Sequence, residues 1–444
     1  MTERNRGESE DPGSRDLLAG ERDPDEPTLR RRGIDRREFM RRGAAASLSL
    51  GLLPFESARA AVSPETPRIR RHVTLGKTGL RVPDISFGGQ KLTKQTELVH
   101  YALDRGITHF DTAEGYQEGR SEECLGKALE GHRSKVTITT KHKATADESA
   151  ATQMKALEAS LRRLRTDHVD IYLNHAVNDV ARVQNPEWRE FVRRAKEQGK
   201  IRFAGTSGHG TRLTECLDYV IERDLVDVVL VAYAYAQDPD FFDRLKSKLP
   251  DFDQIAPRPE LPGILDRARE KGIGVMAMKT LYGARLNDMR PYEGDGVTFA
   301  QAAFRWTLSG KHVDGLVVTM KNEEIIDEYL VASGGTEVGP GDVSLLHRYE
   351  EMNAASQCRY GCGECADSCP NGVAISEVLR TRMYAMDYGH VDEAHREYAC
   401  LEEDAAACTT CCGTPCAHAC PHGIHISKLT GETHRLLDSN AARR

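Results

Sequence analysis

Four residues, Asp111, Tyr116, Lys141 and His175, are the types a proton-transfer site at a carbonyl needs. A phenol can hand a proton to a carbonyl oxygen, and an imidazole can orient that oxygen. A free tyrosine near pKa ~10 holds its proton too tightly, and a neighbouring ammonium favours phenolate and lowers that value. A carboxylate would hold the ammonium. Each residue also has a bland use: Asp111 and Lys141 as a rim ion pair, His175 as a hydrogen-bonded core residue, Tyr116 as part of a surface loop. Their order along the chain makes the chemical use the stronger reading. A second concentration lies downstream, where ten of the twelve cysteines fall between Cys358 and Cys420.

The elements that must position the first set follow from hydrophobic periodicity. In His109-Phe110-Asp111-Thr112-Ala113-Glu114-Gly115-Tyr116 a short apolar run delivers an acid, a glycine-bearing loop and a tyrosine to one edge. Lys141 closes Thr139-Thr140-Lys141, and His175 closes Ile171-Tyr172-Leu173-Asn174-His175. The pattern predicts strands at Ile85–Gly88, Thr108–Thr112, Val136–Thr140, Val169–Leu173, Arg202–Thr206, Val226–Val231, Gly274–Met278 and Gly315–Val318. Helical patterns separate them at Leu98–Arg105, Ser121–Leu129, Glu148–Arg163, Trp188–Gln198, Leu213–Glu222, Leu265–Lys271, Phe299–Leu308 and Glu323–Leu330. Eight β/α units over about 250 residues predict a closed (β/α)8 TIM barrel, whose strand C-termini share one rim. An open doubly wound sheet is the alternative. Against it, the first strand runs into Phe87-Gly88-Gly89-Gln90 rather than a G-x-G-x-x-G loop opening a helix. Ahead of the barrel, Val73-Thr74-Leu75, Gly76-Lys77-Thr78-Gly79 and Leu80-Arg81-Val82 read as a capping β-hairpin. The proline-bearing connection from Ala236 to Pro262 reads as a lid or insertion.

The 444 residues are 39% apolar with a net charge of −7, ordinary for a globular protein. Residues 1–60 are charge-balanced, so the acidity belongs to the rest, which gives no reason to expect nucleic-acid binding. The first thirty or so residues are too polar to order themselves. After them come Asp35-Arg36-Arg37-Glu38-Phe39-Met40, a small apolar run from Gly43 to Leu53, and Ala58-Arg59-Ala60. That order marks a secretory signal rather than a membrane span. It resembles a twin-arginine signal, with Asp35 where Ser or Thr is usual. The resemblance implies export of a folded protein to the periplasm or cell envelope by the twin-arginine translocation machinery, with cleavage after Ala60.

Residues 68–335 resemble the aldo-keto reductase family. The likeness is carried by Leu75-Gly76-Lys77-Thr78-Gly79-Leu80, Phe110–Tyr116, Ser160-Leu161-Arg162-Arg163-Leu164 leading to Asp170-Ile171-Tyr172-Leu173 and His175, and Gly199–Ser207. It implies that Tyr116 is the general acid, Lys141 and Asp111 tune it, and His175 polarises the carbonyl. Lys143 lies one step out of register. The resemblance also implies NADP(H) or NAD(H), with Ser207 as a donor, Tyr233 stacking on the nicotinamide, Lys279 and Leu281 in a pyrophosphate-side loop running to Tyr282-Gly283, and Lys321 on a phosphate. Gly208 and Leu230 stand where the family carries Asn and Gln, so two carboxamide partners are missing.

The cysteines from about residue 345 to 435 form an imperfect repeat: Cys358-x3-Cys362-x2-Cys365-x3-Cys369-Pro370, then Cys408-x2-Cys411, Cys412-x3-Cys416-x3-Cys420-Pro421. The spacing resembles bacterial ferredoxins, which implies two [4Fe–4S] clusters in an α-helical cysteine-rich domain, with each pre-proline cysteine ligating the other cluster. Zinc and disulfides are alternatives. Nine cysteines lie in the repeat and eight are needed, so Cys411 and Cys412 compete; Cys400 is spare. Cys124 and Cys216 read as core. The combined expectation is an exported oxidoreductase taking a small carbonyl or alcohol substrate, with a redox partner for the clusters. The alternative is a degenerate barrel kept for binding, regulation or electron transfer.

Overall fold

The structure is a computed structural model. It describes residues 66–210, 212–235, 260–281, 288–294, 296–353, 358, 362–387, 389–412 and 415–438. The signal-like segment 1–60, most of the Ala236–Pro262 connection and Tyr282-Gly283 lie outside the described residues. The chain divides into Met1–Ser63 and Pro64–Arg444, and all the described residues belong to the second unit.

Two short strands, β1 (His72–Thr74) and β2 (Arg81–Pro83), pair antiparallel with Val73 opposite Val82. Eight more follow: β3 (Ile85–Gly88), β4 (His109–Asp111), β5 (Thr137–His142), β6 (Val169–Asn174), β7 (Ile201–Gly208), β8 (Val228–Ala232), β9 (Gly274–Met278) and β10 (Gly315–Thr319). They close into a barrel in the order β10-β3-β4-β5-β6-β7-β8-β9. Every pairing is parallel. Around it stand α1 (Thr96–Asp104), α2 (Arg120–Ala128), α3 (Ala150–Leu164), α4 (Val180–Gln184), α5 (Pro186–Glu197), α6 (Leu213–Glu222), α7 (Leu261–Glu270), α8 (Phe299–Ser309) and α9 (Glu323–Leu330). The expected barrel is therefore present, strand for strand. Helix α7 starts earlier than its periodicity implies because Pro262 sits in its first turn, where a missing N–H costs nothing.

Alternation along the strands divides the core. Ile171, Leu173, Val228, Leu230, Met276 and Val317 point inward and pack on Leu75, Leu80 and Val82, so the hairpin plugs the barrel. Tyr172, Val229, Val231 and Val275 point outward against the helices. Gly76 makes the plug possible: with φ +49°, a Cβ there would lie 2.4 Å from the Gly272 carbonyl oxygen. The opposite wall of the interior is polar, and His109 hydrogen-bonds Ser86 and Thr139, each at 2.9 Å.

Beyond the barrel, α10 (Pro340–Asn353) packs on α8, with Tyr349 stacked on Phe299 at 4.1 Å between ring centroids. Then α11 (Ile375–Met386), α12 (Val391–Ala399) and α13 (Ile426–Leu437) surround a small core that includes Val378, Leu379, Tyr398, Ile426 and six of the repeat's cysteines. This C-terminal segment docks on the barrel's rim through Asn178–Glu377 and Lys143–Glu397, each 2.8 Å, and Gln90–His390 at 3.2 Å.

Candidate active site

Residues at the ends of neighbouring strands supply the site. Asp111 is the last residue of β4, opposite Thr139 of β5, and Lys141 stands two residues further along β5 on the same face. Lys141 Nζ donates to Asp111 Oδ1 at 2.5 Å and to the Thr112 carbonyl at 2.7 Å. Both side chains are almost fully buried. Burial pushes the Asp111 carboxyl up and the Lys141 ammonium down, and their mutual attraction opposes both shifts. The second oxygen, Asp111 Oδ2, is buried without a hydrogen-bond partner.

Tyr116 lies above this pair, with Lys141 Nζ 4.9 Å from its ring centroid, and the His175 ring meets it edge-on at 5.5 Å. The four residues proposed from the sequence are thus brought together. Their electrostatics differ from the expectation. Burial raises the Tyr116 phenol well above its ordinary value, and Asp111, Tyr384 and Glu393 push the same way. Lys141, 4.9 Å from the ring centroid and already paired with Asp111, does not offset this burial. Tyr116 therefore carries its proton at neutral pH. Burial, reinforced by Lys141, Lys143, Arg182 and Lys279, keeps the His175 imidazole neutral.

The backbone here is strained. Gln117, Glu118 and Gly119 all have positive φ directly after Tyr116, Ala176 does so after His175, and so does Lys279. Non-glycine residues adopt this conformation at a cost of about 1–2 kcal/mol each. Packing holds the turns in place, for example the 3.0 Å bond from Gln117 Nε2 to the Gln90 carbonyl.

These side chains line a cavity of about 380 Å³, within the usual range for small-molecule sites. Of the residues proposed for a cofactor, Ser207, Lys279, Leu281 and Lys321 line it. Tyr233 does not. It follows Leu230 by three positions, so alternation turns it outward, where it is buried with its ring edge-on to His312; counting from Leu230 would have revealed this. Lys143 reaches the cavity edge but is paired with Glu397. The sequence reading missed the wall from the C-terminal segment, Tyr384, His390, Glu393 and Glu397, and the buried His209 beside it. His209 Nε2 is 3.0 Å from the Tyr384 hydroxyl, and Lys279 Nζ lies 4.7 Å from the Tyr384 ring centroid. Burial and Arg380 bring the Lys279 ammonium down to about 7.

The clustered cysteines sort into two neighbourhoods. Burial, then the neighbouring thiolates Cys362, Cys365 and Cys420, push the Cys358 thiol up; burial, Cys362 and Cys420 bring Cys365 to about 11. Burial, with Cys369 and Cys411 close by, raises Cys408, and Cys416 responds to burial and then to Cys408, Cys369 and Cys411. The groups are Cys358, Cys362, Cys365, Cys420 and Cys369, Cys408, Cys411, Cys416. Cys412 and Cys400 are exposed and belong to neither; Cys412 Sγ donates to the Thr410 carbonyl. Among the described residues no disulfide joins these cysteines, and no three His, Cys, Asp or Glu side chains are placed around a single metal ion.

The chain belongs to the aldo/keto reductase family, whose model matches residues 84–334. It is 27% identical over 179 residues to the oxidoreductase YqkF of Bacillus subtilis strain 168, covering 37% of this chain and 57% of that protein's length. It is 29% identical over 298 residues to L-galactose dehydrogenase of Arabidopsis thaliana, covering 58% of this chain and 86% of that one. Among solved structures, an aldo-keto reductase from Bacillus halodurans in its holo form superimposes with a TM-score of 0.50 at 19% identity, covering 63% of this chain and 95% of that one. This last likeness concerns the fold alone.

Proposed function

We propose that the chain is an exported NAD(P)(H)-dependent oxidoreductase interconverting a carbonyl and an alcohol on a sugar-type substrate, with two [4Fe–4S] clusters in its C-terminal segment. The observation that carries the reading is the placement of the Tyr116 ring beside the buried Asp111–Lys141 pair and edge-on to His175 in one cavity. Tyr116 hands its proton to the carbonyl oxygen, and His175 orients that oxygen by hydrogen bonding. Asp111–Lys141 anchors the floor, and the Lys141 ammonium stabilises the phenolate left when the proton departs. A bound nicotinamide supplies or accepts the hydride at the carbonyl carbon. The site fits such a group: Ser207, Lys279, Leu281 and Lys321 line one cavity with the acid. L-galactose dehydrogenase, by its name, oxidises a sugar, which supports the substrate class.

The cluster reading rests on the two cysteine groups. Each takes three cysteines from one run and one from the other, Cys420 in the first and Cys369 in the second. Four thiolates around zinc, at ~2.3 Å bonds, crowd to about 3.8 Å from each other, whereas iron and sulfide interposed in a cube spread them further. Export rests on the Arg36-Arg37 segment and Ala58-Arg59-Ala60, and explains why a cluster-bearing protein would leave the cell folded.

Fluorescence titration with NADH and NADPH, followed by turnover on a panel of aldoses and hydroxyaldehydes, tests the enzyme reading. Micromolar binding with activity lost in Tyr116→Phe is expected; no dinucleotide binding, or activity unchanged in that variant, would end it. Binding without turnover would select the degenerate-barrel reading, which the apolar Leu230 favours. Anaerobic purification should give about eight irons and eight sulfides per chain; zinc without sulfide would overturn the clusters.

A further inference from the structure

His142 ends β5, next to Lys141, and does not itself line the cavity. Its bonds nevertheless reach the neighbours of the proton-transfer set. The His142 carbonyl accepts the His175 N–H at 2.8 Å. Ring Nδ1 meets Glu114 Oε1, two residues ahead of Tyr116 in the same loop. On the other side, Nε2 lies 2.9 and 3.0 Å from the two oxygens of Glu148. None of the three side chains is more than 26% exposed, so water competes little for these contacts. Glu148 is itself fixed, since Oε2 accepts the Thr145 N–H at 3.2 Å and its carbonyl accepts from Gln153 Nε2 at 2.9 Å and Asn185 Nδ2 at 3.0 Å. The Tyr116 loop needs such support, because Gln117 and Glu118 directly after it hold positive φ at a cost.

We infer that His142, clamped between Glu148 and Glu114, is a positioning residue that holds the Tyr116 loop over the reacting centre. This rests on the reading of Tyr116 as the proton donor. Glu148 is the fixed end of the clamp and Glu114 the held one. A neutral imidazole has one N–H and one lone pair, and the lone pair would then face a carboxylate. Both contacts are favourable together only when the ring carries a second proton. Burial alone would lower the His142 value, but Glu114 and then Glu148 outweigh it and raise it above the ordinary 6.5. These two carboxylates are the charged groups facing the ring. Behind them, the buried Tyr172 phenol of β6 faces both, and Arg182 of α4 faces Glu148. Glu114 lines the cavity, yet in this role its carboxylate serves as an acceptor for His142 rather than as a base.

The test joins a titration to kinetics on the full-length protein. In the wild type labelled with 15N-histidine, the His142 ring, assigned by its loss in His142→Gln, should lose its second proton with a midpoint above 6.5, and that midpoint should fall in Glu114→Gln. In reduction of glyceraldehyde by NADPH, His142→Leu and Glu114→Leu should each lower kcat by about 10- to 100-fold, the effect of a misplaced catalytic group, with KM and the NADPH Kd changed less than about threefold. Their double variant should be no slower than the slower single, because both remove one clamp. Glu114→Gln keeps an acceptor for the ring N–H and should retain most of the turnover that Glu114→Leu loses. A wild-type midpoint below 6.5, which needs no variant to fold, overturns the inference. So do additive losses in the double variant, losses confined to KM or Kd, or Glu114→Gln as slow as Glu114→Leu. If the wild type reduces no aldehyde, or Tyr116→Phe is as fast as the wild type, the proton-donor reading falls and takes this inference with it; a low His142 midpoint removes the inference alone.

Discussion

Lys143 Nζ and Glu397 Oε1 stand 2.8 Å apart although 254 positions separate them in the chain. The other Glu397 oxygen accepts from Arg380 at 3.4 Å. Burial works to raise the Glu397 carboxyl, but Arg380 and Lys143 outweigh it and hold it below its ordinary value. The seam between barrel and C-terminal helices is thus pinned by a carboxylate shared between two cations. Glu397→Gln is expected to cost about 1–3 kcal/mol, because it leaves the buried Arg380 guanidinium short of charge. Lys143→Met, at a half-exposed ammonium, should cost less than about 1 kcal/mol. Urea midpoints measure both, and equal costs would contradict the assignment.

The Asp111–Lys141 pair gives a sharper contrast. Lys141→Met strands a carboxylate in the barrel and should destabilise the fold by about 3–5 kcal/mol. Adding Asp111→Asn should recover most of that loss, since the buried charge is then gone from both sides. A double variant no more stable in denaturant than Lys141→Met would show that packing, not charge, dominates there.

Tyr116→Phe should lower turnover by about 10²–10⁴-fold while leaving dinucleotide affinity within about twofold. Because burial keeps the Tyr116 phenol protonated, carbonyl reduction should not decline through loss of the donor between about pH 6 and 9. A pH–rate profile falling with an apparent pKa near 7 in that direction would argue for a different acid.

Acid stability should report on the barrel interior. Burial holds the His109 imidazole at about 4, against an ordinary 6.5, so in that interval the unfolded chain binds a proton that the folded one does not. Stability is therefore full above about pH 6.5 and falls as the pH drops toward 4, by about 3 kcal/mol from this residue. His209 and His175, shifted the same way, add to the slope. Unfolding free energies measured between pH 7 and 4 should be flatter in His109→Gln; an unchanged slope would exclude His109 as a cause.

Cys411 and Cys412 are neighbours with different surroundings, one grouped with Cys369, Cys408 and Cys416, the other exposed. Cys411→Ala should therefore lower iron per chain by up to half, while Cys412→Ala leaves it unchanged. The reverse result would exchange their roles.

The barrel was legible in the sequence because buried parallel strands are short apolar runs at regular intervals, and all eight fall within a few residues of where the pattern places them. The Asp111, Tyr116, Lys141 and His175 constellation was legible for a related reason: a closed barrel forces successive strand ends onto one rim. Tyr233 lies just past the end of β8, three positions from the inward Leu230, so alternation turns it away from the cavity. Tyr384 and Glu397 could not be found that way, since no periodicity connects a helix of the cysteine-bearing segment to a rim more than a hundred residues earlier. The sign of the Tyr116 shift was not legible either, because it is set first by burial, which spacing along the chain does not report.

The shared cavity also bears on how the molecule is made. Synthesis runs from the N-terminus, so the strand ends carrying Asp111, Lys141 and His175 exist before Tyr384, Glu393 and Glu397 leave the ribosome. Until α11 and α12 settle, the rim has no roof. That roof is built on a small core lined with thiols. A chain whose cysteine-bearing segment had not folded would therefore lack the wall made by Tyr384, Glu393 and Glu397 and leave its proton-handling rim open to water.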